Sequence, residues 1–354
     1  MIGLYLDEYT LSSALPDSFQ ITGEQEPSVT VAICLEREWI YSVKLYPVDG
    51  TCTFYELRQI VEQNMIKRNL SLATFELTVD DGNGMEEYDG YNIIFSRYKN
   101  ATYSDIYFLE HHFLVNRSYY TMPRNESAYV QFFARYVEIP LATYEATFEH
   151  NGYISTYSAD QQITRYPRDY VYNIHVTPAQ VKSLVDEMEG GDMGTLLSFT
   201  LHVGERSLMV YVTDDIPCTH FYYRNSYNAW ETIFVFGTTS FKSEISRKEA
   251  LMQNRTSFYD KTVTRKWEVK TVPLTIEEAT WYNEFLEAES IFKDISCGYT
   301  GKTVLVSDIT SEISDSVKDR ITIKFSWRFD DNAYWLDSTP SEREFTPQFN
   351  RTFT

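Results

Sequence analysis

Hydrophobic and polar residues alternate along much of this chain. In the clearest run, from 321 to 329, every odd position is apolar and every even position is polar or charged. A period of two is typical of a β-strand with one face on a core and one face in water. The same alternation predicts further strands at 29–35, 39–45, 73–79, 197–203 and 208–212.

Short polar segments join several of these runs. A charged turn separates 29–35 from 39–45, and Gly204-Glu205-Arg206 separates 197–203 from 208–212. Turn residues between two alternating runs predict β-hairpins.

Three places carry the signals of a helix N-terminus. Thr53 and Glu56, and again Thr275 and Glu278, have the spacing of a capping box, in which each side chain accepts a hydrogen bond from a free backbone N–H. Thr177-Pro178 places an N-cap residue before a proline at the first helical position. Apolar residues at helical spacing follow each signal, so we expect three helices.

These patterns predict a mainly β protein, all-β with a few short helices, built from tandem antiparallel β-sandwich-like domains. At 354 residues the chain is too long for one ordinary core. We expect an N-terminal β domain with one helix over residues 1–100, and a β-rich domain or pair of domains with two helices over 101–337. The sequence shows no repeat period.

The last residues, 338–354, lose the strand pattern and predict an extended C-terminal arm. Phe345, Phe349 and Phe353 recur every four residues, but Pro347 argues against a helix. Such an arm docks in a groove of its own domain, docks on a neighbouring subunit, or is disordered. The three phenylalanines are therefore the first candidates for subunit contact.

The charge of the chain narrows the range of partners. A net charge of −20 and a pI of about 4.7 repel phosphate backbones and anionic lipid, so we expect no direct nucleic-acid or membrane binding. The first residues lack the basic region of a secretion signal, and no apolar run approaches the roughly 18 residues of a membrane helix. The four cysteines form no C-x-x-C pair, which argues against a zinc ribbon.

One loop is a weak candidate for calcium. Asp80, Asp81 and Asn83 offer the oxygen ligands that Ca²⁺ prefers, but the EF-hand spacing fails because Met85 stands where a ligand is expected. We therefore expect an acidic hairpin loop without metal, and no cofactor. His111 and His112 fall in a strand pattern at 107–115, where adjacent side chains point to opposite faces and cannot chelate one ion.

The sequence also argues against an enzyme. The G-x-S-x-G, H-E-x-x-H, P-loop and G-x-G-x-x-G motifs are absent, and acids adjacent in sequence do not face each other across a cleft as glycosidases require. A second patch is open to two interpretations. Tyr222, Tyr223 and Trp230, together with nearby Arg and Asn, suit sugar stacking and protein contacts, and they also suit a loop at the edge of a core.

Several segments together resemble structural proteins of phages and prophages of Bacteroides-type bacteria. They are Phe-Tyr-Tyr-Arg-Asn-Ser-Tyr-Asn-Ala-Trp-Glu at 221–231, Glu-Ile-Ser-Arg-Lys-Glu-Ala at 244–250, Val-Ser-Asp-Ile-Thr-Ser-Glu-Ile-Ser-Asp at 306–315, and Phe-Ser-Trp-Arg-Phe at 325–329. Tyr-Pro-Val-Asp-Gly at 46–50, before Leu-Arg-Gln-Ile-Val at 57–61, fits the same resemblance. These motifs are structural turns and strands and carry no catalytic residues across.

The resemblance implies a virion structural protein of the tail or baseplate, assembled in the cytoplasm of the host bacterium. It implies contacts with copies of itself in a closed oligomer and with other virion proteins. Two alternatives remain open. One is a carbohydrate-binding adhesion module that stacks Tyr and Trp of 221–230 on a glycan, and the other is a head–tail connector ring protein.

Overall fold

The structure is a computed structural model that describes residues 2–22, 28–99, 102–135, 141–164, 169–214, 218–252, 255–293, 301–310 and 320–330. Within these residues it contains twenty β-strands and four α-helices, which confirms the mainly β, sandwich-like fold. The chain divides into two compact units. Unit 1 is Met1–Ile216 with Arg224–Glu231, and unit 2 is Pro217–Tyr223 with Thr232–Thr354. The domain boundaries near residues 100 and 337 stay a prediction.

The first part of unit 1 is a two-sheet sandwich with one helix. Its elements are β1 (Tyr9–Leu11), β2 (Ser18–Thr22), β3 (Val29–Leu35), β4 (Glu38–Leu45), β5 (Thr51–Tyr55), α1 (Leu57–Lys67), β6 (Leu72–Asp80) and β7 (Met85–Ile94). Five strands form one sheet in the order β1-β7-β6-β3-β4, and β2 pairs with β5. All pairs are antiparallel except that of β1 with β7.

Alternating apolar residues build the core of this sandwich. The buried positions of β3 and β6 face the buried side of α1, where Leu57, Val61 and Met65 follow one another at four-residue spacing. Because each strand presents every second side chain to this core, its other face remains available to solvent.

The second part of unit 1 is another sandwich. Its elements are α2 (Asp105–His111), β8 (Tyr119–Pro123), β9 (Ala128–Ala134), β10 (Leu141–His150), β11 (Tyr153–Gln162), β12 (Tyr170–Val176), α3 (Pro178–Glu189), β13 (Thr195–Val203) and β14 (Arg206–Thr213). Five strands form a sheet in the order β8-β14-β13-β10-β11, and β9 pairs with β12.

The two sandwiches have the same topology. If β8 to β14 are matched in chain order with β1 to β7, the five-stranded sheets have the same strand order and the two-stranded sheets the same pair. The first strand of each set joins its last strand in parallel. A helix follows the fifth strand in both. Unit 1 therefore contains the same topology twice, over residues 9–94 and 119–213.

Equivalent side chains support this duplication. Phe19 and Phe54 are cross-strand partners with ring centroids 5.1 Å apart, and Phe132 and Tyr172 form the matching pair at 5.2 Å. No repeat period is visible in the sequence because the connections differ in length. Four residues separate β6 from β7, but two separate β13 from β14.

Unit 2 is a closed barrel with one helix. Its elements are β15 (Cys218–Arg224), β16 (Trp230–Met252), β17 (Arg255–Thr271), α4 (Ile276–Leu286), β18 (Ile291–Lys293), β19 (Lys302–Thr310) and β20 (Lys324–Phe329), of which β15 and β16 begin or end in unit 1. The barrel order is β15-β16-β17-β20-β19-β18. Aromatic residues fill it, and Phe285 of α4 packs on Phe221 and Phe325.

Two of the three predicted helix starts are confirmed. Thr177 caps α3 through the N–H of Gln180, and Thr275 and Glu278 form the capping box of α4. The predicted capping box at Thr53 is wrong, because Thr53 lies in β5 and α1 begins after Glu56 without a side-chain cap.

The predicted strand at 107–115 is also wrong in its first half. Residues 105–111 form α2, and Ser104 accepts the N–H of Tyr107 at its N-terminus. The aromatic alternation hid this short helix, because residues four apart also stack, as Tyr107 does on His111 at 3.8 Å.

Candidate functional site

The most unusual element of the described chain is a long two-stranded ribbon in unit 2. Strands β16 and β17 pair from Gly237 opposite Thr271 to Met252 opposite Arg255. On its other side β17 pairs with β20 only over Trp267–Lys270, so its outer edge from 255 to 266 has no strand neighbour among the described residues. Twelve residues of strand span about 40 Å. We call residues 238–252 and 255–266 the ribbon.

Gly237 marks the root of the ribbon. Its φ of +155° is outside the range that other residues adopt easily, and a Cβ there would lie 2.1 Å from the carbonyl oxygen of Lys270. A glycine therefore lets the two strands approach closely as they leave the barrel. Next to it Phe241 packs on Trp267 at 5.3 Å, and Trp267 stacks on the buried Trp327 at 4.3 Å.

The even-numbered face of the ribbon is polar, and its lysines have acidic partners within β16 and β17, while Lys266 also contacts Asp308 of β19 at 3.6 Å. Lys248 contacts Asp260 at 2.9 Å, Lys266 contacts Glu244 at 3.2 Å, and Lys242 contacts Glu268 at the root. Hydroxyl side chains occupy the positions between them, where Ser246 lies opposite Thr262. The charged side chains of this face are therefore paired, and the face suits contact with water.

The opposite face, which we call the basic face, carries exposed apolar side chains, the cations Arg247 and Lys261, and one exposed acid, Glu249. Phe241, Ile245 and Phe258 are each more than half exposed on it. Arg247 lies directly opposite Lys261, and neither has an acidic partner among the described residues. The guanidinium of Arg247 lies 5.2 Å from the centre of the Phe258 ring. Like charges that face each other across a strand pair are unfavourable, and no described acidic side chain pairs with Arg247 or Lys261.

The loop that was the calcium candidate is an acidic hairpin, residues 80–89. Residues 81–84 connect β6 to β7, which begins at Met85. Asp80 accepts the N–H of Gly82, and Asp81 accepts those of Asn83 and Gly84. These bonds to the charged form lower the pKa of Asp81. The carboxylates therefore brace the turn.

The parts of the chain that the structure describes contain no group of three or more His, Cys, Asp or Glu side chains that could hold a metal ion. His111 and His112 do not converge on one point either. His111 lies on α2 with its Nδ1 beside the carbonyl of Tyr107, and His112 follows the helix in extended conformation.

The three residues of the predicted patch do not belong to one unit: Tyr222 and Tyr223 lie in unit 2, and Trp230 lies in unit 1. The Tyr223 side chain is fully buried in the core of unit 2, so it cannot contact a partner in this fold. Tyr222 is half-buried in β15. In unit 1 the guanidinium of Arg224 lies 4.0 Å from the centre of the Trp230 ring and covers one of its faces. Glycan binding by Tyr222 or Trp230 stays a prediction.

The segment after Arg224 serves unit 1 through a buried polar network. Arg117 pairs with Glu231, and the two side chains are 6% and 1% exposed. Asn225 donates to the other Glu231 oxygen at 2.7 Å and to the carbonyl of Leu114 at 2.7 Å. The Tyr227 hydroxyl donates to Asn116 at 3.0 Å. Because these buried polar groups are joined by several hydrogen bonds, the network fixes the position of this segment.

Phe345, Phe349 and Phe353 lie outside the described residues, so the arm as a subunit contact stays a prediction. The ribbon is the candidate that sequence reasoning missed. Its signal was present as Phe241, Ser243 and Ile245 alternating with charged residues, but the apolar positions are too few to predict two strands of this length.

In the described residues no helix combines the length and the apolar character that crossing a membrane requires.

No protein-family model matches the chain, and no curated protein matches it. Among solved structures it is similar to the full extracellular region of plexin A4, with 9% identity and a TM-score of 0.21 over 92% of this chain. The chain spans 39% of the length of that plexin chain.

Proposed function

We propose that this protein is a structural component of a phage virion, part of its tail or baseplate, and that it works by binding other subunits. The phage part of the proposal rests on the resemblance of the motifs between 221 and 329. The assembly part rests on one structural observation, the ribbon.

A two-stranded ribbon is marginally stable in water unless a third strand or a packed face supports it. Here the ribbon extends about 40 Å with an open edge and three exposed large apolar side chains. Natural proteins usually shorten, bulge or cover such edges because they invite pairing with another chain. A long open ribbon on an otherwise well-packed barrel is therefore suited to contact with another subunit, by strand addition or by burial of its apolar face.

The test is incorporation into particles. Virions purified from a host that carries this gene should contain the protein in stoichiometric amount, and immunogold label should lie on the tail. A shortened variant in which Asn-Gly replaces residues 245–263 joins Glu244 to Thr264, which are cross-strand partners, by a two-residue hairpin turn. We expect this variant to fold and to be lost from the particles.

The matched control keeps the ribbon and exchanges one ion pair on its polar face, Lys248→Asp with Asp260→Lys. It should enter virions as the wild type does. Absence of the wild-type protein from purified particles would overturn the phage proposal. Full incorporation of the shortened variant would overturn the role of the ribbon.

A further inference from the structure

The two faces of the ribbon differ in how their charges are balanced. On the polar face three ion pairs join residues of β16 and β17, and Lys266 also contacts Asp308 of β19 at 3.6 Å. On the basic face Arg247 and Lys261 have no acidic partner among the described residues, although the chain carries 51 acidic residues. Segment 237–271 holds eight Lys or Arg and four Asp or Glu, whereas the whole chain has a net charge of −20. The ribbon is thus a positive element in a strongly negative protein.

The acidic hairpin of unit 1 has the opposite character. Residues 80–89 contain five acids and no Lys or Arg. None of the five forms an ion pair with another described residue. Met85, which is 61% exposed, adds an apolar contact surface at the start of β7.

The backbone of this hairpin is also open along one edge. Strand β7 pairs with β1 only over Asn92–Ile94, so its first half, Met85 to Asp89, has no strand neighbour on that side among the described residues. The Asp81 turn holds this half-strand in place. The hairpin therefore presents negative charge and apolar surface together, which complements the basic face of the ribbon.

We propose that the basic face of the ribbon binds the acidic hairpin of a second copy of this chain. The inference rests on the proposed function, because it names the partner of the same surface. Each copy would carry both surfaces, one basic face and one acidic hairpin, so the contact between copies is head-to-tail. A head-to-tail contact closes into a ring or continues as a filament, depending on the rotation between copies.

Charge reversal tests this contact directly. In analytical ultracentrifugation at low salt, the wild type should self-associate, and added salt should weaken the association. Arg247→Glu with Lys261→Glu should weaken it at least about 100-fold, because like charges would then meet across the interface. Glu87→Lys with Asp89→Lys should have the same effect from the other side.

Rescue separates a specific contact from general repulsion. The chain that carries all four reversals should regain the association, and so should an equimolar mixture of the two double variants. The matched control, Lys44→Glu with Lys67→Glu, changes the net charge of the protein by the same amount at two exposed lysines of unit 1, and should associate as the wild type does.

Two outcomes overturn the inference. One is a wild type that remains monomeric at every concentration tested, and the other is an Arg247→Glu, Lys261→Glu variant that associates normally. Neither outcome contradicts the proposed role as a virion protein, because the ribbon could then bind a different virion protein. The incorporation test decides the virion role separately.

Discussion

The buried pair of Arg117 and Glu231 supports a quantitative prediction about unit 1. Replacing Glu231 by Gln keeps the size and shape of the side chain but removes its charge. Arg117, which is 6% exposed, then keeps a positive charge without the carboxylate that compensates it. Asn225 also loses its charged acceptor. Breaking one side of a buried ion pair costs about 3–5 kcal/mol, and we expect this loss in the free energy of unfolding of unit 1.

An exposed ion pair supplies the control. Arg124 contacts Asp214 at 3.1 Å, but the two side chains are 31% and 92% exposed. Asp214→Asn makes the same chemical change in water, where such pairs contribute about 0–1 kcal/mol. The two variants should therefore differ by roughly 3 kcal/mol in the free energy of unfolding, and this difference is the effect of burying the ion pair.

Hydrogen exchange of backbone amides in β9 and β13 reports the opening of unit 1 separately from unit 2. Exchange protection in these strands should fall for Glu231→Gln and stay nearly unchanged for Asp214→Asn. The double variant Arg117→Gln, Glu231→Gln should be more stable than Glu231→Gln alone, because it removes the uncompensated charge. If Glu231→Gln stays within about 1 kcal/mol of Asp214→Asn, the reasoning about the buried network is refuted.

Two further predictions concern local structure. Gly237→Ala should lower the free energy of unfolding of unit 2 by at least about 2 kcal/mol, because the new Cβ would lie 2.1 Å from the Lys270 carbonyl oxygen. Gly84→Ala is the control, since a Cβ there meets no atom within 4 Å, and it should change the free energy of unfolding little. Equal effects of the two variants would contradict the close approach of the strands at the ribbon root. Burial raises the pKa of Glu62, although the Ser12 hydroxyl donates to it. The folded state therefore binds this proton more tightly, and unit 1 should lose stability as the pH rises from the ordinary glutamate pKa through the raised one. Glu62→Gln should remove that slope in unfolding measurements from about pH 4 to about pH 7, and an unchanged slope would count against the assignment.

The sequence predicted those parts of the fold whose signal is local. The hairpin of β13 and β14 follows from alternation and a glycine turn, and the starts of α3 and α4 follow from caps that act within four residues. The start of α1 could not be found this way, because Glu56 enters the helix in a left-handed conformation without a capping side chain. No local rule predicts that choice.

The duplication and the ribbon could not be predicted for a different reason. The two sandwiches have the same strand order, but the buried residues differ in type: Cys52 and Phe54 are buried in β5, whereas Tyr172, Ile174 and Val176 are buried in β12, so the sequence shows no repeat. Topology is fixed by which strands pair over long distances, and a single sequence does not record those pairings.

Where the chain departs from the rules of self-sufficient folding is the best guide to what it does. The sandwiches and the barrel bury their core faces, although the edge strands β4 and β11 also expose Trp39 and Ile154, and the charged groups of the Arg117 network are paired inside unit 1. The ribbon breaks these rules along eleven residue pairs, from Lys242 opposite Lys266 to Met252 opposite Arg255, with an open edge, exposed Phe and Ile side chains, and opposed cations. A sequence under selection for folding alone would shorten or neutralise such an element, since none of the described residues offsets its cost. For this reason we propose a partner that offers acidic groups and apolar surface, and the charge-reversal and incorporation experiments test that proposal.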